Sequence, residues 1–463
     1  CVVPVKQFWQ TNPTTHNFEP RVGFSYSPYK NGNTAIRGAF GIYDMLPLPY
    51  LYATLSAVTA PYSLDAIVPG HVVPPGGFPI VIPIVASMTA PLRLGRYIEQ
   101  HPKRDYSLNY NLNVEQQLSG TLSASIGYVG FRGIHQPFPS ADYNQVPESS
   151  TQVLEGRRVY PKTRADTIDA NAFLIFGLQW DGVEHYNSLV TQLKARDYHG
   201  LNAQGTYTWN SCIDLGSSTQ ADTTYQNSFA GAIYYDKVQR KGRCDYEVTQ
   251  NFSLNAIYDL PGPHDGLLKT FAGGWQVGTI VTASTGVPFT LQQANDVLGQ
   301  GGQIYGALPD VAPNCNPYRQ GYKFDPNHNY INANCFSFPT VSTTSAIAPL
   351  CNTDGTNPVN GRVLCLNVQG NERRNSLTGP RLVNADLSLI KNTHLPHLTE
   401  SASLQIRIEA FNFLNHPNFQ APTNFFTFNG RAGFNQEDPG TAGNLDSTAT
   451  PSRQLQFGAK LIF

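Results

Sequence analysis

The sequence contains no run of about 18 apolar residues, so none of it reads as a helix able to cross a bilayer. Its most apolar stretch, Phe78 to Ser87 (FPIVIPIVAS), is short and interrupted by Pro79 and Pro83. Charge is scarce: Asp, Glu, Lys and Arg make up 14% of the 463 residues, against about 25% in soluble globular domains. A formal net charge of −1 leaves no basic footprint, which argues against nucleic acid as a partner. There is no G-x-S-x-G, H-E-x-x-H, P-loop or G-x-G-x-x-G pattern, so the common hydrolase, metalloprotease and nucleotide chemistries find no support. No pair of carboxylates stands out, which weakens a reading as a secreted glycan-acting enzyme. The chain therefore reads as a non-enzyme without a cofactor. A membrane is still compatible with all of this, because β-strands cross bilayers with a much weaker hydropathy signal than helices.

Aromatics and alternation are what the sequence does have. There are 24 Tyr and 25 Phe, with 40 Gly and 34 Pro. In Leu382 to Lys391, Val383, Ala385, Leu387 and Leu389 alternate with Asn384, Asp386 and Ser388. After a polar turn, Ala402, Leu404, Ile406 and Ile408 alternate with Ser403, Gln405, Arg407 and Glu409. The C-terminus repeats this with Leu455, Phe457, Ala459, Leu461 and Phe463. Period-two alternation means strands with one apolar and one wet face. Full charges on the wet face would be costly inside a packed soluble core.

The same pattern recurs upstream at 22–26, 36–42, 108–114, 122–128, 189–195, 201–209, 252–258 and 275–283, which gives eleven strands. Alternate connections are short, at 30–33, 119–120, 197–200, 260–274 and 392–401. The others are long excursions, at 44–104, 131–185, 211–245, 285–380 and 413–451. Asn31-Gly32 and His199-Gly200 mark tight hairpins. The predicted fold is all-β: a transmembrane antiparallel β-barrel with short periplasmic turns and long extracellular loops. Tyr43, Tyr128, Trp209, Tyr258, Trp275 and Phe411 are placed to form interfacial girdles. A soluble β-sandwich would also alternate, but it does not predict the short and long rhythm.

Several phrases carry a family resemblance: PRVGFSYSPYKNGNTAIRGAFGIY (20–43), NYNLNVEQQLSGTLSASIGYVGFRGIH (109–135), YNSLVTQLKARDYHGLNAQGTYTWNSCID (186–214), GGWQVGTIVTASTGVPFT (273–290) and NADLSLIKNTHLPHLTESASLQIRIEAFNFLNHPNF (384–419). They resemble the Oar-like group of TonB-dependent outer-membrane receptors, on strands and short turns rather than long loops. The resemblance implies a carboxypeptidase-regulatory-like domain, a plug and a TonB-contacting segment ahead of a large barrel. On that reading residues 1–463 are the C-terminal half of a barrel of about 22 strands, with the N-terminal domain, plug and early strands missing. A chain beginning at Cys1 without Met is expected to be a piece of something longer.

Six cysteines fall on the predicted outer side, where disulfides are permitted. Cys212 and Cys244 bracket one excursion at the tops of strands expected to be adjacent. Cys315, Cys335, Cys351 and Cys365 share the longest loop, where three pairings are possible and the sequential one is preferred. Zinc is the sharper alternative, but no C-x-x-C occurs and the spacings of 20, 16 and 14 do not suit it. Cys1 is left over. His394 and His397 form a lone H-x-x-H across a turn, and Asn251 a sequon on a strand; neither is assigned a role. Asp386, Gln405, Arg407 and Glu409 are expected to face the lumen, and Lys194 and Arg196 lie on wet faces too.

These observations lead to an outer-membrane receptor or transporter barrel that binds or moves a large solute such as an oligosaccharide, peptide or protein. Its expected partners are outer-membrane lipid and, through the missing N-terminal region, the TonB complex. The alternative is a surface adhesion or structural protein whose disulfide-clamped loops bind partners while the barrel anchors them.

Overall fold

The computed structural model describes residues 9–46, 66–67, 92–140, 143–162, 168–169, 172–217, 233–263, 270–293, 298, 307–319, 330–353, 355, 358–395, 399, 402–422, 425–426, 445 and 447–463. Eleven strands form one continuous path in chain order. They are β1 (Arg21–Tyr26), β2 (Thr34–Asp44), β3 (Tyr106–Gln117), β4 (Leu122–Ser140), β5 (Ala172–Tyr198), β6 (Leu201–Asp214), β7 (Gln250–Asp259), β8 (Trp275–Ser284), β9 (Leu382–His394), β10 (Ser403–Phe411) and β11 (Gln454–Ile462). Every neighbouring pair along this path is antiparallel. Consecutive antiparallel neighbours put successive connections at opposite ends. All the short turns therefore lie at one end and all the long connections at the other.

Local sequence sets the turns. His199 (φ 51°) and Gly200 (φ 83°) both take the left-handed conformation that a two-residue hairpin needs. Asn31-Gly32 behaves differently from its sequence expectation. Only Gly32 has positive φ, at 69°, and its N–H donates to Tyr29 O at 3.1 Å. Asn31 instead caps the turn through Oδ1, which accepts from the Asn33 N–H at 3.2 Å.

Register carries one face through the whole wall, because directly paired residues share a side. Phe24 pairs with Gly38, Gly38 with Leu112, Leu112 with Tyr128 and Tyr128 with Leu189. The row continues through Trp209. Further along, Leu254, Val281 and Ala385 are paired in turn, as are Leu389, Ile408 and Phe457. All the alternating apolar residues of the eleven strands fall on this face, although Phe457 is 73% and Leu193 51% exposed. Phe24 lies over Gly38 and Tyr110 over Gly130 on the same face, aromatic rings covering backbone that has no side chain.

The hydrophobic clusters of the described residues belong instead to the long connections and to the strand ends beyond the apolar belt. One gathers Phe289, Leu291, Ile331, Phe336 and Leu377; another gathers Val159, Val341, Ile347, Val363 and Val368. An apolar sheet face left bare while the loops build their own cores is arranged for lipid, not water. Tyr128 and Trp209 ring the long-connection side, and Tyr258 and Trp275 the turn side. Tyr43 and Phe411 depart from the girdle expectation: they pair with Ser107 and Gln454 on the polar face. The span 201–209 of β6 covers about 27 Å along a tilted strand, comparable to an apolar band of about 25 Å.

Lys391 is a charged residue on the apolar face at its turn end, paired with Trp275 and Ile406. It sits at the turn end and snorkels, its Nζ donating to Gly273 O while lying 5.8 Å from the Trp275 ring.

Two strands run far beyond the apolar belt. β4 runs 19 residues and β5 runs 27, so much of the predicted 131–185 excursion is strand. Apolar alternation stops at the belt, but the backbone ladder does not need it and continues to Ser140 opposite Gly177. A register shift between Ile134 and Gln136, with His135 at φ 56°, bends β4 as it leaves the belt. Leu92–Ile98, inside the predicted 44–104 excursion, adds a short parallel strand to the upper half of β5. β1 and β11 each have one neighbour, and both are exposed along their whole length.

A charge test separates the faces. Ile406→Arg is expected to cost about 2–4 kcal/mol, as arginine does on a lipid face near the midplane, and Gln405→Arg close to nothing. Urea titration of the folded, heat-modifiable species in liposomes measures both. Equal costs for the two variants would contradict the assignment.

Candidate functional site

The side chains expected to face the lumen all lie on the polar face. Glu409 pairs with Ser388, Arg407 with Ile390 and Gln405 with Asn392. Arg407 Nε donates to Gln405 Oε1 at 2.6 Å, and Arg407 lies 4.0 Å from Glu409. Gln405 Nε2 donates to Asn392 Oδ1 at 2.8 Å. Asp386 is tied down differently. Its Oδ1 accepts from the Asn412 N–H at 2.8 Å and from Asn384 Nδ2 at 2.9 Å, which fixes the start of the 412–453 connection. At the other end of the wall, Arg37 and Glu115 pair at 2.6 Å.

Above the polar face the long connections form a cap held by three disulfides. Cys212 and Cys244 are joined with Cα atoms 5.4 Å apart. Cys315–Cys335 and Cys351–Cys365 follow, at 5.5 and 4.6 Å. Glu184 stands beside Cys212 and Cys244, the one grouping of three potential metal ligands among the described residues. Both sulfurs are already consumed in a disulfide, and Glu184 Oε1 accepts from the Tyr246 hydroxyl at 2.6 Å. Cys1 and His397 lie outside the described residues; His394 ends β9. Asn251 sits on β7 facing Ser284, on the polar side.

Ion pairs that the sequence did not signal complete the cap. Arg374, with a side chain 2% exposed, bridges Asp214 at the top of β6 and Asp245, the latter at 3.1 Å. Its Nε donates to Arg240 O at 2.9 Å. Asn375 Nδ2 donates to Asp245 Oδ1 at 2.6 Å and to Arg243 O at 2.7 Å. Arg240 is buried over the Phe138 ring at 3.4 Å and pairs with Asp181 of β5 at 3.1 Å. Arg157 pairs with Asp310 at 2.7 Å and donates to Gln369 O at 2.7 Å. These residues are scattered through Pro- and Gly-rich segments without periodicity, and only the fold brings them together. The run Arg373-Arg374 in an otherwise charge-poor loop was the one available hint.

At the root of the cap, where 285–288 and 379–382 leave the wall, lies a cavity of about 410 Å³. Val287, Pro288, Leu382 and Phe419 give it an apolar lining, with Asp245 as the acid among its walls. It is a space that a solute contacting the cap could enter.

Glu372 adds a pH-dependent element. Its carboxyl is buried, Oε1 accepting from the Leu291 N–H at 3.4 Å and from Ser376 Oγ at 3.2 Å. Burial pushes it from 4.5 up to about 8 against the pull of those donors. The folded cap thus holds a proton that the unfolded chain releases. This contribution is fullest below about 4.5 and is lost as pH rises toward 8. Glu372→Gln, which keeps the shape of the neutral acid, is expected to stabilise the cap by about 3 kcal/mol at pH 7 and to do little near pH 4. Exchange of the Leu291 amide, compared between the two proteins at each pH, measures it. A variant effect independent of pH would contradict the buried neutral acid.

Comparison with known proteins completes the picture. The outer membrane transporter YddB from Escherichia coli is similar at 11% identity over 96% of this chain and 40% of that one, with a TM-score of 0.46. The ferripyoverdine receptor of the outer membrane of Pseudomonas aeruginosa matches at 10% identity over 96% and 32%, TM-score 0.40. The siderophore receptor PiuA from Acinetobacter baumannii matches at 10% over 95% and 35%, TM-score 0.38. The chain thus spans two fifths or less of each of these proteins. No curated protein matches its sequence. The family model for the outer membrane beta barrel domain matches residues 5–456. With its bare apolar belt, opposite polar face and chain-order antiparallel wall, this outer-membrane chain belongs to the outer membrane beta barrel domain family.

Proposed function

We propose that this chain is part of the barrel of a TonB-dependent receptor, of the Oar-like kind its strand phrases resemble. It binds a large solute at its cap and passes it along a lumen lined by Asp386, Gln405, Arg407 and Glu409. The observation carrying this reading is the cap itself. Disulfides and buried ion pairs hold it in one shape directly over the polar face, which a lid or passive anchor would not require. Among the described residues the outer sides of β1 and β11 have no paired strand, which supports further strands completing the wall. A plug and a TonB-contacting segment belong to the same reading.

The cap's own hydrophobic clusters favour one alternative, surface binding with the barrel as anchor. Cells with and without the gene, each with and without a functional TonB complex, separate the two. They are supplied with pooled oligosaccharides, peptides and protein digests, and depletion from the medium is followed. Transport predicts a solute depleted only when both gene and TonB are present. Gene-dependent binding that ignores TonB would replace transport by adhesion.

A further inference from the structure

We infer that Arg132, His185 and Lys241 form a binding site for the phosphate groups of an outer-leaflet lipid, on the outside of the wall. The register is the first argument. Arg132 pairs with His185 across β4 and β5, and His185 with Ile213 across β5 and β6. This row has the same parity as the apolar belt. It stands two rows beyond Tyr128, Leu189 and Trp209 and one row beyond Phe40 and Tyr110, on the long-connection side of the belt. Lys241 immediately precedes Gly242–Arg243, the short strand paired with Ile213–Asp214. The two cations and the His185 ring therefore face the way the lipid-facing side chains do. The Arg132 and His185 row lies about 7 Å up a tilted strand from Tyr110 and Phe40, where hydrocarbon gives way to headgroups.

Proximity and lack of competition are the second argument. Arg132, His185 and Lys241 are all exposed. Partial burial, then the charges of Arg132 and Lys241, hold the His185 imidazole below its usual value, so both cations act on one ring outside the belt. Among the described residues neither the Arg132 nor the Lys241 side chain has an ion pair or hydrogen bond. Five arginines of the cap are spent differently: Arg157, Arg158, Arg240, Arg243 and Arg374 each hold a carboxylate. Clustered like charges without counterions call for an external anion.

The belt below says which anion. A lipid whose acyl chains lie along Leu189 and Trp209 would present its headgroup phosphate at the height of this row. Arg132 can then grip it in a bidentate fork, with Lys241 as a point charge. A free phosphate has no chains to use the belt.

The test uses the full-length protein in zwitterionic detergent, with native mass spectrometry against bisphosphorylated lipid A, its dephosphorylated form and inorganic phosphate. Each cation beside an anionic surface is worth about fivefold in binding, so R132Q/K241Q is expected to lose about twenty-fivefold in affinity for lipid A. R132K/K241R should retain binding, which separates charge from fold. The dephosphorylated lipid should bind at the level of the glutamine variant, and millimolar phosphate should not displace lipid A. Unchanged affinity in R132Q/K241Q, or equal binding of the dephosphorylated lipid, overturns the proposal. Displacement by inorganic phosphate overturns it in favour of a small-anion site.

Discussion

Replacing Arg374 with methionine should release the base of the 285–381 connection from the wall. The substitution strands two carboxylates, Asp214 and Asp245, both 3% exposed, without their shared cation. Breaking a buried ion pair in this way typically costs about 3–5 kcal/mol, because the penalty is that of an uncompensated buried charge. Asn375 would lose its setting as well, since its Nδ2 donates at 2.6 Å to the same Asp245 Oδ1 that Arg374 holds. Hydrogen exchange should therefore show lost protection at Asn375 and Leu377 with no change at Thr206 in β6. The triple variant R374M/D214L/D245L removes all three charges together. It should recover most of the stability, as apolar replacement of a whole buried ion cluster often does. If R374M alone costs less than about 1 kcal/mol, the range of an exposed pair, the network does not hold the cap.

The second large effect is expected from Cys212 and Cys244. Their link closes a sequence separation of 32, and loop-closure entropy assigns such a link about 3–4 kcal/mol. Serine at both positions leaves the Cys244 N–H to Cys212 O bond of 3.0 Å available. The loss should thus appear as faster opening of 233–249 rather than rearrangement of β6. Asp245 neighbours the crosslink and is held by Arg374, so the serine pair and R374M should not add. Coupling is expected for residues that share a partner. Peptide mapping without reduction provides the direct check: both thiols alkylatable in the native protein would remove the link altogether.

The wall was legible from sequence because two constraints write it in residues. Period-two alternation gave all eleven strands, and the short and long rhythm gave their order, since nothing else satisfies lipid on one side and charge on the other. Tyr43 and Phe411 show where that reading stops. Aromatics near strand ends look alike, and only register tells that these two pair with Ser107 and Gln454. The overhang of β4 and β5 was missed for a related reason. Above the belt no lipid selects for alternation, so Pro137, Gly177 and Gly182 can sit in paired strand without the pattern. The cap was legible only through its cysteines. Arg374, Asp214 and Asp245 lie far apart in sequence, and their meeting depends on the fold of loops that carry no periodic signal.

The overhanging strands also bear on how force passes through the molecule. In an antiparallel ladder the hydrogen bonds run across the strands, and from Ser140 opposite Gly177 down to Leu122 opposite Ala195 that ladder is interrupted only by the shifts near His135. A pull on the cap along the strand direction, passed through Arg240 and Asp181, enters β5 well above the rim. There it becomes shear spread over many bonds at once, instead of peeling them singly. The rim is consequently a stiff mast step rather than a hinge, and a tug on whatever the cap holds is felt by the wall as a whole.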